Sequence, residues 1–206
     1  IIGIGHFFRY DPIGFKNGIS PYEYPMFVST IGNINTYTSY VALISAIAAV
    51  LFSIEKNKYK RIWYLFTVII SLFALITGMS DNAYLTLMAL FGLLPLYLFN
   101  SLDGFKKYMV LVSILFSEFQ FIDTISHKFP NHVLEINGLF NVIVEYDRLP
   151  YFVIGLWGIC IILYILKACI KKENVLNRVS NIGRWIWLCI IVLVVLAGCY
   201  ILYDAN

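Results

Sequence analysis

Six apolar runs, each close to the length of a bilayer crossing, leave this chain few folds to choose from. A helix needs about 20 largely apolar residues to cross about 30 Å of hydrocarbon. Thr36–Ile54, Ile62–Met79, Ala83–Phe99, Tyr108–Ile122, Tyr151–Ile170 and Trp185–Tyr203 reach or approach that length, and the fourth continues to His127 on a more polar last turn. In lipid every backbone polar group must be paired internally, so the runs predict helices and the chain an all-α, multi-pass transmembrane bundle. Composition excludes the alternatives. Of 206 residues 60% are apolar and 13% charged, more apolar surface than a soluble domain of this size can keep from water. The pattern divides one membrane domain into an outer segment (1–35), spans 1–4 (36–126), an outer loop (127–150) and spans 5–6 (151–206). The missing initial methionine, and the stop at Asp204-Ala205-Asn206 just past an apolar run, read as a piece of a longer protein.

The basic residues predict an orientation. Lys56, Lys58, Lys60 and Arg61 follow span 1, Lys106 and Lys107 follow span 3, and Lys167, Lys171, Lys172, Arg178 and Arg184 follow span 5. These are eleven of the 15 Lys and Arg; the alternate segments hold only Arg9, Lys16, Lys128 and Arg148. Positive charge marks the cytoplasmic side, which sends spans 1, 3 and 5 inward and both ends of the sequence outward.

The apolar runs predict membrane lipid as a partner, and a net charge of +3 gives no argument for nucleic acid. Cys160, Cys169, Cys189 and Cys199 lie in or beside apolar runs without zinc-ligand or redox spacing, so neither metal nor cofactor is read from them. Small residues mark packing seams: Ser39, Ala42, Ala46, Ala49 and Ser53 on span 1, and Thr67, Ser71, Ala74 and Gly78 on span 2. Span 4 is different. Ser113, Ser117, Gln120, Thr124 and His127 share a stripe, with Glu118 beside it and Asp123 near the outer end. Polar groups at membrane depth face a cavity or the bundle interior. Glu118 and Gln120 therefore mark either a helix seam or a lined path, the second being the pattern of a transporter or channel subunit.

The outer segment is rich in aromatic and turn residues, including His6, Phe7, Phe8, Tyr10, Pro21, Tyr22, Tyr24 and Pro25, which suit the headgroup level. In the outer loop, Val133–Val144 is apolar but too short to span, and reads as interfacial or re-entrant. His127 and His132 read as solvated loop histidines, with a general base as the alternative.

Two compact motifs remain. Ser29-Thr30-Ile31-Gly32-Asn33-Ile34-Asn35 opens span 1, and Thr77-Gly78-Met79-Ser80-Asp81-Asn82 forms the outer turn between spans 2 and 3. Physically they are helix caps and a tight turn. Together with Tyr37, with Ala83-Tyr84-Leu85 and with the upstream Asp11-Pro12-Ile13-Gly14, they also resemble the O-antigen ligase and polysaccharide polymerase superfamily over residues 10–100.

The resemblance implies an enzyme of the bacterial plasma membrane that takes a polyprenyl-diphosphate-linked oligosaccharide at the outer face. It would transfer the glycan to an acceptor glycan or lipid, without metal or nucleotide sugar. It implies donor contacts at Asn33, Asn35, Ser80, Asp81 and Asn82, and no catalytic residue carries over. Asp81 stands where the family has arginine, and Pro25–Ile31 lacks the family's second arginine. Arg9, Lys16 and Arg148 are then the cations left to meet a diphosphate. The family's histidine loop is also absent, which predicts that these 206 residues are catalytically silent alone. A non-catalytic membrane scaffold is the third reading of the same features. Both motifs fall on one membrane face, which predicts contact between them.

Overall fold

The structure, a computed structural model, describes residues 1–20, 23, 26–169 and 173–204, and only the backbone at 173–176 and 198–204. Pro21, Tyr22, Tyr24, Pro25, Ile170, Lys171 and Lys172 lie outside the described residues, as does the side chain of Cys199. The chain forms α1 (Ile2–Phe7), a two-residue antiparallel pair β1 (Phe27–Val28) and β2 (Gly32–Asn33), α2 (Ile34–Ile54), α3 (Lys58–Ile76), α4 (Asp81–Leu98), α5 (Leu102–Lys128), α6 (Leu139–Val144), α7 (Leu149–Cys169) and α8 (Glu173–Asp204). Six of these helices, α2 to α5, α7 and α8, are long and apolar enough to cross a membrane. The protein is an all-α, multi-pass membrane bundle.

Capping side chains fix where four of the spans begin. The Asn33 side chain accepts from the N–H groups of Asn35 and Thr36, and Asn57 from those of Tyr59 and Lys60. Ser80 and Ser101 accept from Asn82 and Gly104. Each satisfies a donor that the first helical turn leaves unpaired. One boundary departs from the apolar pattern. Helix α5 starts at Leu102, six residues before the apolar run, so Lys106 and Lys107 lie on the helix and not in a connection. Asp103 one turn earlier meets them at 3.1 and 3.3 Å, which removes the cost that charge would otherwise impose there. The basic clusters after α2, α4 and α7 gather at one end of the bundle, the basic end. Lys107 Nζ donates to the Ser53 carbonyl at 2.8 Å, Lys167 to Asp103 at 2.9 Å, and Arg184 to the Asn100 side chain.

The α2–α3 hairpin is the tightest helix pair. Of the small residues expected to form its seam on α2, Ala49 and Ser53 are buried, Ala42 and Ala46 are half-buried and Ser39 is exposed, and Thr38, Val41, Ser45, Ala48 and Phe52 are buried with them. Small residues permit close approach without requiring it, so Ser39 was free to face outward. Of those expected on span 2, Ser71 and Ala74 on α3 and Gly78 just after it are buried, and Thr67 is half-buried. A Cβ on Gly78 would sit 2.6 Å from the Thr38 methyl, so glycine is what lets the two helices close at this end.

Pro95, fully buried in α4, ties three helices together. It has no N–H for the Phe91 carbonyl one turn back. That carbonyl instead accepts from the Tyr108 hydroxyl of α5 at 2.9 Å, and the adjacent Gly92 carbonyl accepts from the Trp187 indole of α8 at 2.7 Å. Helices α5 and α7 pack along Ser113, 3.3 Å from the Cys160 sulfur, and Ser117, which accepts from the Trp157 indole at 2.9 Å.

Candidate functional site

The opposite end carries the loops, and here the two motifs meet. The Ser80 hydroxyl, buried at the start of α4, donates to Asn35 Oδ1 on α2 at 2.7 Å across 45 residues of sequence. Asn82 Nδ2 lies 3.4 Å from the Ser39 hydroxyl. Asn33 caps α2 one turn away, and Met79 takes a left-handed φ of 51° to turn the chain between α3 and α4. Asn33, Asn35 and Asp81 are exposed, so the joined caps present carbonyl, amide and carboxylate groups on one small surface. Asp81 makes no ion pair among the described residues. None of the three expected cations pairs with it: Arg9 donates through Nε to the Val133 carbonyl at 3.0 Å, Lys16 is buried, and Arg148 is exposed just before α7.

The start of the outer segment packs onto the bundle end, while Phe8, Tyr10, Ile13 and Phe15 stay exposed. His6 is 2% exposed and Phe7 1%. His6 Nδ1 accepts the Ser29 backbone N–H at 3.1 Å, which places the ring proton on Nε2, 3.5 Å from Asp11 Oδ1. Asp11 Oδ2 accepts the Lys16 backbone N–H at 2.7 Å. That bond, with one from Phe15, holds the Asp11 carboxyl below its ordinary range. Burial first, and the nearby Lys16 ammonium second, push the His6 imidazole down; burial also lowers Lys16. With Nδ1 bonded to the Ser29 backbone and Nε2 facing the Asp11 carboxylate, His6 joins α1, the Asp11 turn and the β1–β2 turn. The aromatic composition of the segment concealed this; the Asp11-Pro12-Ile13-Gly14 turn was the available signal.

The loop after α5 is also folded down. A 3-10 turn at Pro130–His132 and α6 turn Val133, Ile136, Phe140 and Val144 inward. Tyr84, directly after the second motif, latches this loop: its hydroxyl accepts the Leu139 N–H at 3.0 Å and its ring meets Phe140 edge-on at 4.4 Å. Val133, Ile136, Phe140 and Val144 therefore pack on the bundle end, while Leu139 and Val142 stay exposed. His127 lies on the last turn of α5. Its Nδ1 is 2.9 Å from Asp123 Oδ1 and 3.0 Å from the Asp123 carbonyl. Both acceptors call for a proton on Nδ1, leaving Nε2 as the basic nitrogen. His127 lines two adjoining cavities of 280 and 480 Å³; Glu145 lines both as well, while Asn137 and Asn141 line the first and Tyr146 the second.

Much of the polar stripe of span 4 is bonded within its own helix. Ser113 and Ser117 donate back to carbonyls of their own helix at 2.8 and 2.7 Å, and Gln120 donates to Asp123 at 3.1 Å. Glu118 is 6% exposed, and neither oxygen makes a hydrogen bond among the described residues. It borders a cleft of otherwise almost wholly apolar side chains. Among the described residues no three His, Cys, Asp or Glu side chains group as a metal site. No family model, curated protein or solved structure matches this chain.

Proposed function

We propose that the chain is the membrane-embedded part of a glycan-transferring protein of the O-antigen ligase or polymerase type. It would work on polyprenyl-diphosphate-linked oligosaccharide at the loop end, which faces outward from a bacterial plasma membrane with the basic end in the cytoplasm. One observation carries this reading: the Ser80–Asn35 hydrogen bond, which makes one polar surface of the two motifs that prompted the resemblance. Asn33, Asn35 and Asn82 offer amide donors to the donor head group. Asp81 repels a bare diphosphate, so Arg9 and Arg148 supply the positive charge at this face. Glycan transfer then needs a base at the acceptor hydroxyl, a role that the resemblance assigns to no residue of this sequence. As the acceptor oxygen bonds to the anomeric carbon its proton passes to that base, the bond from that carbon to the diphosphate breaks, and the electron pair leaves with the polyprenyl diphosphate.

The test is photo-labelling in proteoliposomes with a diazirine-bearing polyprenyl-diphosphate disaccharide. Label is expected in peptides spanning 29–39 and 77–85, reduced at least fivefold by Asn35→Ala together with Asn82→Ala. Label spread over the lipid-facing helices, or unchanged in that variant, would overturn the assignment.

A further inference from the structure

At the basic end, helices α3 and α5 diverge around a cavity of 440 Å³ lined by Arg61, Asp103, Lys106, Lys107 and the Tyr164 ring of α7. Charge here is unbalanced. Asp103 is the single carboxylate among the residues lining the cavity, and Lys106, Lys107 and Lys167 all pair with it, at 3.1, 3.3 and 2.9 Å. Lys106 is 5% exposed, with its ammonium 4.4 Å from the centre of the Tyr164 ring. Arg61 makes no ion pair among the described residues. Holding cations partly out of water with one counter-charge is costly unless an anion joins them.

The cavity is not closed toward the membrane interior. Leu65 and Val110 line both it and a second cleft of 670 Å³, which runs between α3 and α5 past Ile69 and Ile114. Phe73 and Phe121 line its far end, and Ile4 of α1 and Phe8 just after that helix border it. From Arg61 to Phe73 is about 18 Å along a helix at 1.5 Å per residue. That is close to one leaflet's share of a hydrocarbon core about 30 Å thick. Ile69, Phe121 and Trp157 on its walls are exposed, so the cleft opens sideways to the bilayer.

We infer that this is a binding site for an anionic phospholipid, its phosphate among Arg61, Lys106 and Lys107 and one acyl chain in the α3–α5 cleft. The charge selects an anion, and the apolar continuation selects a lipid over a free phosphate. Basic pockets between membrane helices bind acidic head groups by this chemistry. The site lies at the opposite end from the proposed glycan donor surface and depends on none of its residues, so either reading can fail without the other.

The experiment is native mass spectrometry of the full chain released from nanodiscs of phosphatidylcholine with phosphatidylglycerol, backed by displacement of a spin-labelled phosphatidylglycerol. One retained phosphatidylglycerol is expected, favoured over phosphatidylcholine at least tenfold. Arg61→Gln with Lys107→Gln should remove that preference. Should this variant fail to fold, Ile114→Trp leaves every cation in place and narrows the cleft; it should weaken retention of dioleoyl lipid by a similar factor. Equal retention of the two lipids would overturn the inference. So would retention unchanged by Ile114→Trp, or displacement of the spin-labelled lipid by inorganic phosphate as effectively as by phosphatidylglycerol.

Discussion

The Ser80–Asn35 bond can be isolated by a double-mutant cycle. Ser80→Ala removes two interactions: the cap on α4, whose bond to the Asn82 N–H is long at 3.4 Å, and the 2.7 Å bond to Asn35. Losing an N-cap costs about 0.5–2 kcal/mol, and the long bond places this one near the lower limit. Side-chain hydrogen bonds between membrane helices average about 0.6 kcal/mol and reach about 1.7. The short distance and the burial of Ser80 place this one in the upper half of that range. Asn35→Ala removes only the second interaction and leaves Ser80 capping. Ser80→Ala should therefore cost about 1.5–2 kcal/mol, Asn35→Ala about 1, and the pair about as much as Ser80→Ala alone. The coupling is then about 1 kcal/mol, well above the scatter of about 0.3–0.5 seen for independent sites. Reversible unfolding in mixed micelles measures all four corners without ligand. Costs that add within that scatter would show that the two caps are neighbours without being partners, and the shared surface proposed for the donor would lose its anchor.

Three further outcomes are expected. Glu118→Leu should raise stability by about 1–3 kcal/mol in the same micelle assay, because it removes a buried carboxyl that lacks a partner; a loss of stability would show that the carboxyl is satisfied. Tyr108→Phe should cost about 1–3 kcal/mol by orphaning the Phe91 carbonyl, and Pro95→Ala should recover much of it by restoring an N–H to that carbonyl; a Tyr108→Phe cost untouched by Pro95→Ala would refute this account. The lowered His6 pKa makes docking of the outer segment pH-dependent. The unfolded segment takes up its proton near the ordinary value of 6.5 and the folded one only below it, so docking is complete above that pH and weakens as pH falls through it. Asp11 acts in the same direction only below its ordinary 3.8. Amide exchange at Ser29, and at Leu134 whose N–H donates to the Phe7 carbonyl at 2.8 Å, corrected for intrinsic rate, should show protection lost between pH 7.5 and 5.5; equal protection at both would count against the His6 strut.

The spans were legible because lipid imposes its requirement locally. Each apolar run must pair its own backbone, so length and hydropathy suffice to place it, and the caps at Asn33, Asn57, Ser80 and Ser101 sharpen the ends. The meeting of the two motifs was legible for a related reason. A short connection makes α2 and α3 neighbours, and the turn after α3 must then return the chain beside the start of α2. The face α2 buries was not legible, since apolar residues surround the helix and hydropathy does not separate a neighbour's side from the lipid's.

Pairings between distant segments escaped for a different reason. Lys106 reads as a loop cation because its partners, Asp103 and the Tyr164 ring, identify themselves only once α5 is known to start early and to lie against α7. His6 reads as an interfacial residue because its acceptor role depends on the backbone of Ser29. Glu118 reads as part of either a helix seam or a polar path, and the serines around it have already spent their hydroxyls on helix carbonyls and the Trp157 indole. In each case the residue types were visible while the hydrogen-bond partner was not, and the partner decides the role. The same reasoning divides the molecule's polar groups. At the loop end the Ser80, Asn35 and Asn33 side chains bond to each other and to helix starts, and leave a modest exposed surface, the donor surface proposed above, where a ligand must compete with existing bonds. At the basic end they remain short of negative charge, so a ligand there would complete the structure, and that end should bind its partner the more tightly.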